Sequence, residues 1–325
     1  MIGIFKANNP SGNAILFLYA FVLKIPMFLH TSMPSVQPLD GILYKYCLQF
    51  ISLFDKGFPI IYNIIAFLLL FIQAISFNKI VNDQRLLKQN NFLTGMSYLL
   101  LTSLFSDWFS LSAPLIVNTF LVWIFTRITV LYNNPKAKAI IFNIGLATGL
   151  SAFFYFPSIT FLILVIAGIA IFRSFRLQEW VMVLMGIITP LYFFASYLFL
   201  TNNIRSFHFP GFHFSHPLFV NNKWAYTVLF AIIIVTCIGI YFVNNNMSRQ
   251  VVQTRKSWQL LFLYLVVAAL VPFVNAGFNF SYWVLITVPL SPICAAVFFY
   301  PQKKIIPLLL HWCLFGLYVA IQFNK

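Results

Sequence analysis

The sequence predicts an all-α, polytopic membrane protein of about eleven helices forming one domain over residues 1–325, and three observations carry that prediction. Hydrophobic residues make up 61% of the chain and charged residues only 8%, whereas a soluble domain carries about 25% charged residues. Apolar runs long enough to cross a bilayer, which takes roughly 20 residues, recur along the whole length with short polar punctuation. The cations gather in alternate connections between those runs.

Taken in order, the runs lie near 12–30, 58–77, 92–105, 112–132, 139–156, 159–172, 180–200, 224–243, 257–274, 281–300 and 305–322. Lys6 ahead of the first run gives it the look of a signal peptide, but no small-residue cleavage site follows, so it is retained as a helix. The runs 92–105 and 159–172 reach only about 21 Å and are partial or extend into flanking residues. Only Pro157 and Ser158 join the runs that make up 139–172, which suits a buried hairpin as well as two crossings. Gly145 and Gly149 form a GxxxG face that lets another helix approach closely. Pro190, Pro272, Pro289 and Pro292 interrupt the backbone ladder inside runs and predict kinks.

With the N-terminus cytoplasmic, the inner connections hold fourteen cations and the outer ones five, with Lys24 inside the first run near its outer end. That excess places the N-terminus in the cytoplasm and the C-terminus on the outer side. It also argues against a nucleic-acid partner, which needs cations clustered on one soluble face. Cys47, Cys237, Cys294 and Cys313 form no CxxC pair and read as free, buried thiols. No P-loop, GxGxxG, HExxH or GxSxG is present, so any chemistry uses dispersed loop residues.

Only five carboxylates occur, and three of them, Asp40, Asp55 and Asp107, fall in outer connections. Asp83 and Glu179 lie beside Arg85 and Arg176 and read as loop ion pairs. The outer loop 30–57 carries Asp40, which caps an amphipathic run, 41–54, too short to cross. That run predicts a helix in the outer interface, with Tyr44 and Tyr46 near headgroups and Lys45 toward phosphates. Asp107 sits in the turn between the third and fourth runs. The outer loop 201–223 reads FHFPGFHFSH at its centre, with Arg205, His208 and His213 set to face lipid phosphates. Its histidines lack a fixed ligand spacing, so a metal site is not expected there.

A first span, then an outer loop with an Asp and a short interfacial helix, then a second acid between spans three and four: this order resembles the multi-pass C-type glycosyltransferases (GT-C). The resemblance covers roughly residues 1–200 and rests on topology. It implies a GT-C-like fold and a sugar moved from a polyprenyl-phosphate donor at the outer, periplasmic face. On it, Asp40 is the base or acceptor-orienting group, Asp107 the second-loop acid, and a divalent cation is an allowed cofactor. Arg205, Lys45, Lys24, His208 and His213 are then the groups available to the donor phosphate. The stretches NDQRLLKQNNFLTG and YFPSITFLILVIAGIAIFRSFRLQEW are similar to a family of Bacteroidota inner-membrane proteins with no assigned activity, which implies the inner membrane as location.

Two other function classes fit the composition. A non-catalytic membrane subunit of an envelope complex would present its Phe-rich surface, 40 Phe in all, to lipid or to a membrane-protein partner. A transporter would place ionisable groups at mid-membrane, where the runs hold little besides Lys24 and His311, the latter read as a neutral, hydrogen-bonded histidine. What separates the enzyme from both is whether Asp40 and Asp107 face one outer cavity.

Overall fold

The computed structural model describes residues 2–7, 9–29, 31, 33–55, 59–135, 137–202, 223–273, 280–303 and 305–323. It is a helical bundle: α1 (Ile2–Lys6), α2 (Gly12–Leu29), α3 (Ile42–Asp55), α4 (Ile60–Asp83), α5 (Leu93–Leu101), α6 (Ala113–Thr129), α7 (Ala137–Phe154), α8 (Leu162–Phe172), α9 (Leu177–Leu200), α10 (Lys223–Met247), α11 (Val252–Leu270), α12 (Thr287–Phe299) and α13 (Ile305–Phe323). Among the described residues eight helical stretches are long and apolar enough to cross a membrane: α2, α4, α7, α9, α10, α11 with the turn after it, α12 with the turn before it, and α13. The chain is a polytopic helical membrane protein.

Eight is fewer than the eleven runs read from the sequence, and the three others differ for a physical reason. Helix α5 has nine residues, every one of them buried, and it ends at Leu101 rather than running to 105. It needs no bilayer-length apolar surface because protein surrounds it. The stretch 156–172 starts as a 3-10 turn, Phe156–Phe161, before α8, and α6 stops after 17 residues. At the centre of the bundle α5 packs against α12, and 89% of the Ser281–Phe299 window is buried.

Helices α7 and α9 touch backbone to backbone. A Cβ at Gly145 would overlap the Val183 carbonyl, one at Gly186 would overlap the Phe142 carbonyl, and one at Gly149 would press on Pro190. The GxxxG face therefore receives a helix of the same chain, and Pro190 lies inside that helix. Pro26 and Pro292 also fall within helices, whereas Pro272 lies in the 3-10 turn Val271–Phe273. At the end of the bundle away from α3, Glu179 pairs with Arg173 at 2.7 Å rather than with Arg176. Arg173 also donates to the Asn134 carbonyl at 3.1 Å, so one guanidinium ties the start of α9 to the loop before α7. All four cysteines are free; Cys294 is buried, Cys47 half-buried, and Cys237 and Cys313 turn outward, which corrects the expectation of four buried thiols.

Alanine at an open helix position ordinarily gains about 1 kcal/mol over glycine. At Gly145 the new methyl meets backbone that cannot move away, and overpacking costs about 1–3 kcal/mol. Gly145→Ala is therefore expected to lower the melting temperature in detergent, whereas Gly316→Ala, with nothing within 4 Å, is expected to raise it slightly.

Candidate functional site

The site begins with a junction that α3 makes before its first turn. Asp40 forms an antiparallel bridge with Tyr155, the Gly41 amide donates to the Phe154 carbonyl at 2.8 Å, and the Phe156 amide reaches the Leu39 carbonyl at 3.4 Å. Gly41 is required there, because a Cβ would overlap the Phe153 carbonyl. The loop before α3 is thus fastened to the end of α7, and α3 leaves that junction at a fixed point.

From there the amphipathic period decides what each residue faces. Tyr44 and Leu48, one turn apart, are buried, whereas Lys45, Tyr46 and Phe50 are exposed. Tyr44 therefore does not sit among headgroups as its residue type suggested; its hydroxyl donates to the Leu111 carbonyl at 2.9 Å and ties α3 to the segment entering α6. Helical spacing held that signal, since Tyr44 shares a face with Leu48 and Ile51.

A cavity of about 310 Å³ opens between these segments. Its walls include Asp40 and Tyr44 from the α3 side, Asp107 and Ser110 to Ser112 from the connection between α5 and α6, and Ser281 and Tyr282 from the turn before α12. The 3-10 turn Ser106–Phe109 carries Asp107 at an exposed position, and buried Trp108 and Phe109 anchor it. Asp40 and Asp107, far apart in the chain and two of its five acids, line one cavity. Among the described lining residues there is no cation; hydroxyls, carboxylates and the Gln37 amide supply the polar surface.

Asp40 is 7% exposed. Its Oδ2 accepts the Gln37 amide at 2.7 Å, three residues back, so this bond staples the loop ahead of α3 instead of capping the helix. Burial pushes its carboxyl up to about 6, against the opposing pull of the Gln37 hydrogen bond and the Lys45 charge. Burial also holds the Tyr44 and Tyr155 phenols above their ordinary range, so they remain hydrogen-bond donors at neutral pH. The Tyr155 ring stacks on Tyr282 with centroids 5.2 Å apart.

The cationic residues separate. Lys45 is exposed on α3, close enough for its charge to act on Asp40. Lys24 does not line the cavity; it is fully buried in α2, and its Nζ donates to the Thr102 carbonyl at 2.8 Å and lies 4.5 Å from the centre of the Phe109 ring. One side-chain nitrogen thus joins the end of α5 to the end of the Asp107 turn, which removes Lys24 from the set available to a donor phosphate. Arg205, His208 and His213 lie outside the described residues. No three of His, Cys, Asp and Glu come together among the described residues.

On the opposite side of the α3 junction lies an apolar groove of about 490 Å³, lined by Ile42, Leu43 and Tyr46 of α3 and by side chains of α7 and α9 including Leu150 and Phe193. One short helix therefore separates a polar cavity from an apolar groove.

A family model matches residues 41–323, from the first residue after Asp40 to the end of α13. The chain belongs to DUF6427, a family of unknown function. The DUF6427 match takes in α3, the Asp107 turn and Tyr282, while Lys24 and Asp40 precede it. No curated protein and no solved structure matches the chain.

The raised carboxyl of Asp40 has a signed consequence. The folded chain holds this proton more tightly than the unfolded one, so its contribution to stability is complete below the ordinary carboxyl value of 3.8 and is lost as pH rises through about 6. Asp40→Asn removes the titrating group and keeps its shape; it is expected to raise the melting temperature at pH 7.5 and to leave it nearly unchanged at pH 4.

Proposed function

We propose that this protein transfers a sugar from a polyprenyl-phosphate donor to a hydroxyl acceptor at the outer face of the inner membrane, with Asp40 as the general base. The observation that carries this reading is the meeting of Asp40 and Asp107 in one polar cavity. A carboxyl raised to about 6 is ionised at neutral pH yet basic enough to take a proton, which suits it to an acceptor hydroxyl. As that proton moves to Asp40, the acceptor oxygen bonds to the anomeric carbon. The bond from that carbon to the phosphate oxygen then breaks, and polyprenyl phosphate leaves with the electron pair. Asp107 and the cavity serines orient the sugar hydroxyls. The groove beside α3 has the apolar lining that a prenyl chain needs. Lys45, whose charge acts on Asp40, and Arg205, His208 and His213 are the groups assigned to the donor phosphate.

On this reading the N-terminus is cytoplasmic and the C-terminus periplasmic, because the cation-rich connections lie inside and the three shorter segments, α5, α6 and 156–172, carry the chain across in addition to the eight long ones, an odd total. Reporter fusions at the two ends are expected to give opposite signals; a shared location for both ends would overturn this orientation.

The functional test is sugar transfer by the purified protein in a bilayer from a polyprenyl-phosphate sugar. Asp40→Asn is expected to lower turnover about 10²- to 10⁴-fold, the ordinary worth of a general base. Asp107→Asn is expected to lower it less, and the wild-type rate is expected to fall as pH drops through about 6. Full activity in Asp40→Asn would overturn the assignment.

A further inference from the structure

We infer that internal water threads the bundle as a column, from the wall of the Asp40 cavity inward along α5. Nine buried side-chain atoms find no hydrogen-bond partner among the described residues, and five of them fall into one column: the hydroxyls of Tyr155, Tyr264, Ser97 and Thr94 and the Oδ1 of Asn118. All five residues are buried, at 1% exposure or less.

The column has three layers. In the first, Tyr155 stacks on Tyr282, which lines the cavity. In the second, two residues further along that turn, the Val284 carbonyl accepts from Asn118 Nδ2 at 3.0 Å and from Thr287 Oγ1 at 2.6 Å. Tyr98, whose hydroxyl donates to Gln73 Oε1, lies close to both Asn118 and Thr287, and Tyr264 stands beside it. In the third, Ser97 immediately precedes Tyr98 and Thr94 lies one helical turn back from it, next to Gly95, whose amide donates to Asn78 Oδ1 at 3.1 Å. Below that layer Asn78 and Asn82 bind the Asn91 carbonyl, at the far end of α4 from the cavity.

Each layer therefore holds at least one orphaned polar atom next to groups that are themselves well bonded. Folded chains avoid leaving such atoms unpaired by taking up water, which makes two to four hydrogen bonds at a polar site. The donor set selects water over an ion: hydroxyls and one amide oxygen carry no charge, and each hydroxyl can both give and accept. The inference does not depend on sugar transfer.

Radiolytic footprinting of the intact protein in lipid nanodiscs tests it, because hydroxyl radicals formed from bound water label the side chains touching that water within milliseconds. Tyr98 and Tyr264 are expected to label several-fold faster than Phe77 and Phe125, which are equally buried but pack on each other. Labelling no faster than those two phenylalanines would overturn the column. Tyr264→Phe supplies an independent sign. If its hydroxyl binds water, removing it lowers the melting temperature and slows labelling at Tyr98. If the hydroxyl is simply unpaired, removing it raises the melting temperature, and the inference fails.

Discussion

The organisation of the cavity end of this protein depends on the absence of one side chain. Gly41 lets the chain before α3 lie against the last turn of α7 closely enough for the Gly41 amide to reach the Phe154 carbonyl. That contact holds Asp40 beside Tyr155, starts α3 at a fixed place and separates the polar cavity from the apolar groove. A methyl group there would push the two backbones apart, and the helix, the acid and both hollows would move together.

A second constraint works beneath the first. Inside a bilayer a backbone polar group must find its partner within the protein, and this bundle uses side chains to close the gaps its short and broken helices leave. Lys24 binds the carbonyl at the end of α5, Asn63 binds the Met27 carbonyl near the end of α2, and Asn118 binds Val284 where a 3-10 turn leads into α12. Those buried polar residues allow a nine-residue helix to stand at the centre of the bundle. His311 belongs to the same economy, with Nε2 and the Tyr19 hydroxyl 3.0 Å apart between α2 and α13.

The cavity's chemistry follows from where charge is absent. The protein carries a formal +15, yet the described walls of this cavity hold two carboxylates and no Lys or Arg. Such a surface favours hydroxyl-rich or cationic groups and repels phosphate.

Composition and periodicity by themselves determined that this is a helical membrane protein, placed most helix boundaries within a few residues, and marked 41–54 as a separate short helix, because burial in lipid demands long apolar runs and leaves amphipathic ones conspicuous. The scarcity of acids in a cationic chain drew attention to the outer acids Asp40, Asp55 and Asp107, and the topological resemblance to the GT-C enzymes chose the first and last of them. The tertiary structure alone decided that these two share a cavity, that Lys24 turns into the core to hold the Asp107 turn, that Tyr44 faces inward, and that Gly145 meets a helix of its own chain. The physical reason is the same in each case. Inside a bundle in which nearly every residue is apolar, hydropathy no longer distinguishes a lipid-facing position from a protein-facing one. The partner of a polar or small residue is then set by which helix packs beside it.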